Sequence, residues 1–230
     1  MKTIWNKYKH YLLLLYGPLY LAAFHWLETL RPERIHILDT AFDHCIPFME
    51  IFIVPYIMWF FYIGISGAWF FFKEKDSFCR MMIFGIIGMT LFLIVSWIYP
   101  NGLTLRPQTF ARDNVFVHLV RWIYSMDTAT NVLPSIHVFN SVGVCCAIHS
   151  SRKLEKHRAV QGLSTLVTVL IILSTMFIKQ HSIVDVTIAL AMSYLCWELV
   201  YNSGVSRIAA AYAEYKLRRS KKPQLRWLNK

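Results

Sequence analysis

The chain has 230 residues, of which 56% are hydrophobic, 16% are aromatic and only 16% are charged. Soluble domains carry about a quarter charged residues, so a soluble protein of this length would lack the polar surface to cover its core. The composition therefore excludes an ordinary soluble enzyme and predicts an all-α, polytopic membrane helix bundle.

The formal net charge of +11 does not indicate a nucleic-acid partner, because the basic residues lie at the ends of apolar runs. The densest group is at 216–230, where seven Lys and Arg residues follow the last apolar run. Beside a membrane span, such a group is typical of a cytoplasmic anchor on anionic lipid; an RNA-binding tail is the alternative. We therefore predict a membrane domain at 1–202, a basic cytoplasmic tail at 203–230, and membrane lipids as partners.

Six apolar segments approach the length of a helical span, which needs about 20 mostly apolar residues. The fourth is the shortest of them, and the second, third and fifth are the most apolar. Together they predict six transmembrane helices. The predicted spans are 11–27, 49–72, 81–99, 136–150, 159–178 and 182–202.

The distribution of basic residues predicts the orientation of these spans. With the N-terminus inside the cell, 18 Lys and Arg residues fall in cytoplasmic segments and 6 on the other side, which is the bias of the positive-inside rule. Six spans then return both termini to the cytoplasm. The two long connections, Glu28–Glu50 and Pro100–Pro134, are expected outside, with Asn101 and Gly102 accessible to impermeant reagents.

A short helix is predicted inside the second long connection. Phe116, Leu119, Val120 and Ile123 recur there at helical spacing, opposite polar side chains. Such a helix either lies in the membrane interface or packs on the bundle.

Three polar clusters are predicted at the same outer boundary of the membrane. Their residue types are those of phosphoryl transfer rather than of a metal site, since the five cysteines form no CxxC pair and no Cys/His ligand spacing. We therefore expect no metal and no cofactor. The clusters are Arg106-Pro107, the run Asn131–His137 with Pro134-Ser135-Ile136-His137, and Ser174-Thr175 followed by His181 and Asp185.

The third cluster predicts an activated histidine. His181 and Asp185 are four residues apart, so on a helix they share one face. The carboxylate of Asp185 would then hold one imidazole nitrogen of His181 and leave the other free as a nucleophile. An intramembrane carboxylate is costly unless it is paired or functional, which favours this interpretation.

The other two clusters predict the partners of that nucleophile. Pro134 suits the first turn of a helix, whose N–H groups form an anion site, and Ser135 and His137 would lie in the same turn. His137 is placed to protonate a leaving oxygen, and Arg106 to clamp phosphate oxygens. Cations and helix N–H groups would replace a metal in stabilising the developing charge.

The three clusters resemble the signature of the type 2 phosphatidic acid phosphatase superfamily, K-x6-R-P, P-S-G-H and S-R-x5-H-x3-D. The resemblance covers the chain from the third to the sixth predicted span. It implies that His181 forms a phosphohistidine, that Asp185 orients it, and that His137 is the general acid. It also implies phosphate binding by Arg106 and Ser135.

The chain departs from that signature at three positions. Tyr99 stands where the family has its first lysine, Thr175 where it has an arginine, and Ile136 where it has a glycine. We therefore predict that Lys179 supplies one missing cation, with Asp127, Asn131 and Thr175 in supporting roles. The H-x3-D-V ending also resembles the branch of inositol phosphorylceramide and sphingomyelin synthases.

The predicted function is a metal-independent phosphatase of the cell membrane. It would hydrolyse a lipid phosphate or pyrophosphate at the outer leaflet. One alternative is a phosphotransferase that passes the phosphorylated head group to another lipid. A second is a membrane protein that binds phosphorylated lipid and turns it over weakly or not at all.

Overall fold

The structure is a computed structural model that describes residues 9–30 and 32–202. It is mostly helical, with a single two-stranded sheet among the described residues. The predicted basic tail at 203–230 lies outside the described residues. The helices are α1 (Tyr16–Thr29), α2 (Ala41–Cys45), α3 (Ile53–Lys73), α4 (Lys75–Ile98), α5 (Val115–Met126), α6 (Ile136–His149), α7 (Arg158–Phe177) and α8 (Ile183–Trp197), and the strands are β1 (His36–Ile37) and β2 (Asn101–Gly102).

Four helical segments within the described residues are long and apolar enough to cross a membrane. They are Glu50–Lys73, Lys75–Ile98, Arg158–Phe177 and Ile183–Asn202, and they contain α3, α4, α7 and α8. Most residues in the apolar stretches of these segments are not buried within the chain. Large side chains such as Phe60, Phe61 and Phe72 are exposed on α3. These outward apolar faces are suited to lipid.

The prediction of six full spans is not confirmed. The first predicted span is divided into a 3-10 helix, Lys9–Leu15, and the 14-residue α1. The fourth predicted span, α6, also has only 14 residues. At 1.5 Å per residue, 14 residues measure about 21 Å, which is less than the roughly 30 Å of a bilayer core.

The connections between helices collect at two opposite ends of the bundle. At one end, which we call the site end, β1 and β2 pair in parallel, and Gly102 forms a bridge to Thr130. The Met49 N–H donates there to the Phe177 carbonyl over 3.1 Å. At the other end, Glu74 accepts hydrogen bonds from the Ser151 hydroxyl and the Arg152 N–H. Helices α3, α4, α6, α7 and α8 therefore run alternately between the two ends.

Asn101 joins the connections at the site end. Its Oδ1 accepts from the N–H groups of Val132 and Leu133 at 2.9 and 3.0 Å, and its Nδ2 donates to the Tyr99 carbonyl at 2.8 Å. The expectation that Asn101 and Gly102 are accessible is wrong, because both are buried by strand pairing and by these contacts. Gln108 and Thr109 are the exposed residues of the same connection.

The predicted short helix exists as α5 and packs on the bundle. Its side chains Val120 and Ile123 are buried against Ile53 and Tyr56 of α3. Asn114 caps its N-terminus by accepting from the Val117 N–H at 3.0 Å. The second of the two alternatives for this segment is therefore confirmed.

Two reciprocal glycine contacts bring α4 and α6 together. Phe139 of α6 covers Gly88 of α4, and Phe84 of α4 covers Gly143 of α6. A methyl group added at Gly88 would lie 2.2 Å from the Phe139 ring, and one at Gly143 would lie 2.6 Å from the Phe84 ring. Both rings are fully buried, so neither can move aside freely. This close approach fixes α6, which carries His137 in its first turn.

We predict that Gly88→Ala lowers the thermal unfolding midpoint of the purified protein in detergent. Overpacking a well-filled core costs about 1–3 kcal/mol, which exceeds the gain of about 1 kcal/mol from alanine in a helix. Gly64→Ala in α3 is the matched control, because nothing lies within 4 Å of its added methyl group. A midpoint for Gly88→Ala equal to or above that of Gly64→Ala would contradict this account of the packing.

Candidate active site

A hydrogen-bonded chain of three side chains lies at the site end of the bundle. His181 Nδ1 is 2.6 Å from Asp185 Oδ2, and His181 Nε2 is 3.3 Å from His137 Nδ1. All three side chains are buried. A carboxylate only accepts, so Nδ1 of His181 is the donor to Asp185, and in the neutral ring Nε2 carries the lone pair that faces His137.

Two helix N-termini position this chain. Ser182 is the N-cap of α8, and its hydroxyl donates to Asp185 Oδ1 at 2.6 Å. The predicted contact between His181 and Asp185 is present, but His181 precedes the helix instead of sharing its face. Asp185 therefore lies in the first turn of α8, where a carboxylate is favoured by the helix dipole.

The second N-terminus is that of α6. Contrary to the prediction, Pro134 lies before the first turn of this helix. Ser135 is the N-cap, and its hydroxyl accepts from the Val138 N–H at 3.4 Å. His137 lies in the first turn, as predicted. The Ser135 N–H is 3.5 Å from the Asp185 carbonyl, so the two helix starts are in direct contact.

Two aromatic rings of α3 hold the His137 ring. The ring centroids of Tyr56 and Trp59 lie 4.7 and 4.4 Å from that of His137. The motifs did not indicate either residue, since both lie in a continuous apolar run. These contacts orient His137 so that Nδ1 faces His181.

A cavity of about 40 Å³ adjoins the two histidines. Its polar wall includes Asp127, Asn131 and Gln180, of which the first two were predicted as supporting residues. Burial raises the pKa of the Asp127 carboxyl, while the nearby His181 and Arg106 act in the opposite direction. Asn131 has a φ of 56° and donates from Nδ2 to Glu28 Oε1 at 2.6 Å.

The Arg106 guanidinium is bound by the protein itself. Nη1 donates to the carbonyls of Asp127 at 2.8 Å and Tyr124 at 3.4 Å, and Nη2 donates to the Thr128 carbonyl at 2.9 Å and to Gln180 Oε1. Burial lowers the pKa of Arg106, and the Asp127 carboxyl opposes that effect. Direct phosphate clamping by Arg106 stays a prediction, because only its Nε–H is without a partner in the described structure.

Lys179 and Thr175 do not line the cavity beside the histidines. The Lys179 ammonium donates to the carbonyls of Asp43 at 2.7 Å and Ile46 at 2.5 Å, and burial lowers its pKa while Asp43 raises it. The Thr175 hydroxyl donates to the Ile172 carbonyl at 2.7 Å. Phosphate binding by Lys179 therefore stays a prediction, and its observed contacts fasten α2 to the segment that carries His181.

Asp43 is a structural residue that the motif analysis missed. It is 1% exposed, and its Oδ1 accepts from the Ile183 N–H at 2.7 Å, at the start of α8. Its Oδ2 accepts from the N–H and the hydroxyl of Thr40 at 2.8 and 2.6 Å. The capping-box pattern T-x-x-D at 40–43 was the signal that could have found it.

A second, larger cavity of about 440 Å³ shares one wall with the small one. The shared residues are Thr128, Thr130 and Asn131. Glu28 lines the larger cavity and accepts from the Thr128 hydroxyl at 2.7 Å. Ser96 also lines it, and its buried hydroxyl makes no hydrogen bond within the described structure.

No family model, curated protein or solved structure matches the chain. The resemblance to the type 2 phosphatidic acid phosphatases therefore rests on the motif residues alone. Among the described residues, no group of three or more His, Cys, Asp and Glu side chains is arranged to hold a metal ion.

We predict that Lys179→Met lowers the thermal unfolding midpoint as well as any activity. The substitution leaves two carbonyls without their donor, and a buried group that loses its partner costs about 1–3 kcal/mol. Lys179→Arg keeps a charged donor and should retain part of both properties. Loss of turnover in Lys179→Met at an unchanged unfolding midpoint would instead support the phosphate-binding role.

Proposed function

We propose that the protein is a metal-independent membrane phosphatase that hydrolyses a lipid phosphate or pyrophosphate through a phosphohistidine. The observation that carries the proposal is the buried chain from Asp185 through His181 to His137, next to a cavity with polar walls. In this proposal, His181 as the nucleophile is within hydrogen-bond distance both of Asp185, which orients it, and of His137, its acid–base partner.

In the first step, His181 Nε2 attacks the phosphorus of the substrate. The bond from phosphorus to the leaving oxygen breaks as the phosphorus–nitrogen bond forms. Protonated His137 gives its proton to the leaving oxygen. Asp185 accepts a hydrogen bond from the Nδ1–H of His181 throughout. Its negative charge stabilises the positive charge that develops on the imidazole ring.

In the second step, water attacks the phosphorus of the phosphohistidine. His137, now neutral, takes a proton from that water. The phosphorus–nitrogen bond breaks, its electron pair returns to Nε2, and inorganic phosphate leaves. Both histidines end in their starting protonation states, so the cycle is balanced.

Substrate binding requires the two histidine rings to separate. A near-attack geometry needs about 3–3.5 Å between nucleophile and phosphorus, and the acid needs about 2.6–3.2 Å to the leaving oxygen. The 3.3 Å between His137 and His181 is shorter than the sum of these two distances. The phosphoryl group therefore replaces this hydrogen bond, and the small cavity expands to admit it.

We place the site on the extracytoplasmic face of the cell membrane, and we retain six crossings of the chain, because of the bias in basic residues. The substrate phosphate would then enter from the outer leaflet. A Thr109→Cys variant tests the side of the membrane: an impermeant reagent should label it in intact cells, and protection would contradict the assignment.

Head-group transfer is the second candidate function, and the larger cavity favours it. This cavity of about 440 Å³ shares a wall with the 40 Å³ cavity beside the histidines. An acceptor alcohol could therefore approach the phosphohistidine from the larger cavity. The Ser96 hydroxyl, which has no partner in the described part of the chain, and the Glu28 carboxylate are suitable acceptors for a hydroxyl group. The chemistry at His181 is the same, and only the second nucleophile differs.

We predict that the purified protein releases phosphate from at least one member of a panel of lipid phosphates and pyrophosphates, with a chelator present. His181→Gln should abolish release, and His137→Gln should lower kcat by about 10²–10⁴-fold, the usual contribution of a general acid. His149→Gln is the matched control, because His149 is exposed at the opposite end of the same helix.

Product analysis with and without an acceptor lipid separates hydrolysis from transfer. New phospholipid formed only with the acceptor would favour transfer. Turnover that requires a divalent metal, or that survives in His181→Gln, would contradict the phosphohistidine mechanism. Binding of a lipid phosphate without any turnover would leave the protein as a lipid-binding module.

A further inference from the structure

Gln180 has a buried amide whose two ends face different surroundings. The residue lies directly before His181 and is 2% exposed. Its Oε1 accepts a hydrogen bond from Arg106 Nη2. An arginine side chain has only donors, so the oxygen end of the amide must face Arg106. The NH₂ end is thereby fixed on the other side.

The NH₂ end of Gln180 has no partner among the described residues. Nε2 is buried and makes no hydrogen bond to any described residue. Gln180 lines the 40 Å³ cavity together with His137 and His181. A buried donor without an acceptor costs about 1–3 kcal/mol, and such a group in a folded protein calls for a specific explanation. An acceptor supplied by a ligand in the cavity provides one.

Most of the N–H donors of the neighbouring cations are already engaged. All four Nη–H groups of Arg106 donate to protein oxygens. Two of the three N–H groups of Lys179 donate to carbonyls. The Asn131 NH₂ is also bound, to Glu28. Of the amide and cationic groups that adjoin the two histidines in the described structure, Gln180 Nε2 is the one with both N–H donors unused.

We propose that Gln180 Nε2 donates hydrogen bonds to the oxygens of the reacting phosphoryl group. This inference rests on the proposed function and adds a catalytic residue to it. Arg106 then acts through Gln180: its charge polarises the amide and fixes its orientation, and the amide transmits that effect to the phosphoryl oxygens. The ligand class of the cavity is a tetrahedral oxyanion, and its donors are preorganised before the substrate arrives.

The test compares two substitutions of Gln180 with one matched control. Gln180→Met removes both ends of the amide at similar volume. Gln180→Glu keeps an acceptor for Arg106 but removes both N–H donors, so it retains the contact that supports folding. Gln161→Met is the control, because Gln161 is also buried and donates from Nε2 to the Leu154 carbonyl at 3.2 Å, toward the opposite end of the bundle.

We expect both Gln180 variants to lose about 10²-fold in kcat, the effect of removing one oxyanion donor, with a smaller change in KM. Their affinity for vanadate, a mimic of the pentacovalent phosphorus, should fall in parallel, as measured by thermal shift. Gln161→Met should keep the wild-type kcat and vanadate affinity. If Gln180→Met does not fold, Gln180→Glu decides the question alone.

Failure of this inference is distinguishable from failure of the proposed function. If the wild type turns over and Gln180→Glu keeps both kcat and vanadate affinity within about 3-fold, the role of Gln180 is overturned while the phosphatase stands; a fall of about 10²-fold lies well outside that margin. If the wild type is inactive but binds vanadate in a Gln180-dependent manner, the oxyanion site stands and the enzyme fails. If the wild type neither turns over nor binds vanadate, both proposals are overturned.

Discussion

The carboxylate of Asp185 sets the arrangement of the whole site. Asp185 has no exposed surface, and an isolated carboxylate in such surroundings costs far more than one that is paired and hydrogen-bonded. Its two oxygens accept from the Ser182 hydroxyl and from His181 Nδ1, both at 2.6 Å. These two contacts fix the His181 ring and turn its Nε2 toward His137, which is the arrangement that the proposed phosphoryl transfer requires.

The connections at the site end form a second layer that supports this arrangement. Asn101 joins the segment after α4 to the loop that leads into α6, and Asp43 binds the first N–H of α8. Arg106 joins three backbone carbonyls before α6 to the side chain of Gln180. Each of these polar groups is wholly or partly buried. Their hydrogen bonds hold the connecting segments in place against the N-termini of α6 and α8.

The sequence predicted the contact between His181 and Asp185 better than the contacts of Arg106 and Lys179. The four-residue spacing of His181 and Asp185 was enough to predict their contact, although the contact forms across the N-cap of α8 and not along one helix face. The partners of Arg106 and Lys179 are carbonyls distant in sequence, and no local pattern reveals that these donors are occupied. The prediction that α6 crosses the membrane is not confirmed, because its 14 residues measure about 21 Å and a bilayer core is roughly 30 Å thick. Gln180 was missed because one polar residue beside a histidine carries little signal until the orientation of its amide is known.

The central claim is that His181 becomes phosphorylated during turnover, and trapping that intermediate tests it most directly. Purified protein would be mixed with a radiolabelled lipid phosphate, quenched within milliseconds in alkali, and mapped by mass spectrometry. The account predicts a burst of base-stable, acid-labile label on His181, and no such label in His181→Gln. Turnover without any label on His181, or label on another residue, would contradict it.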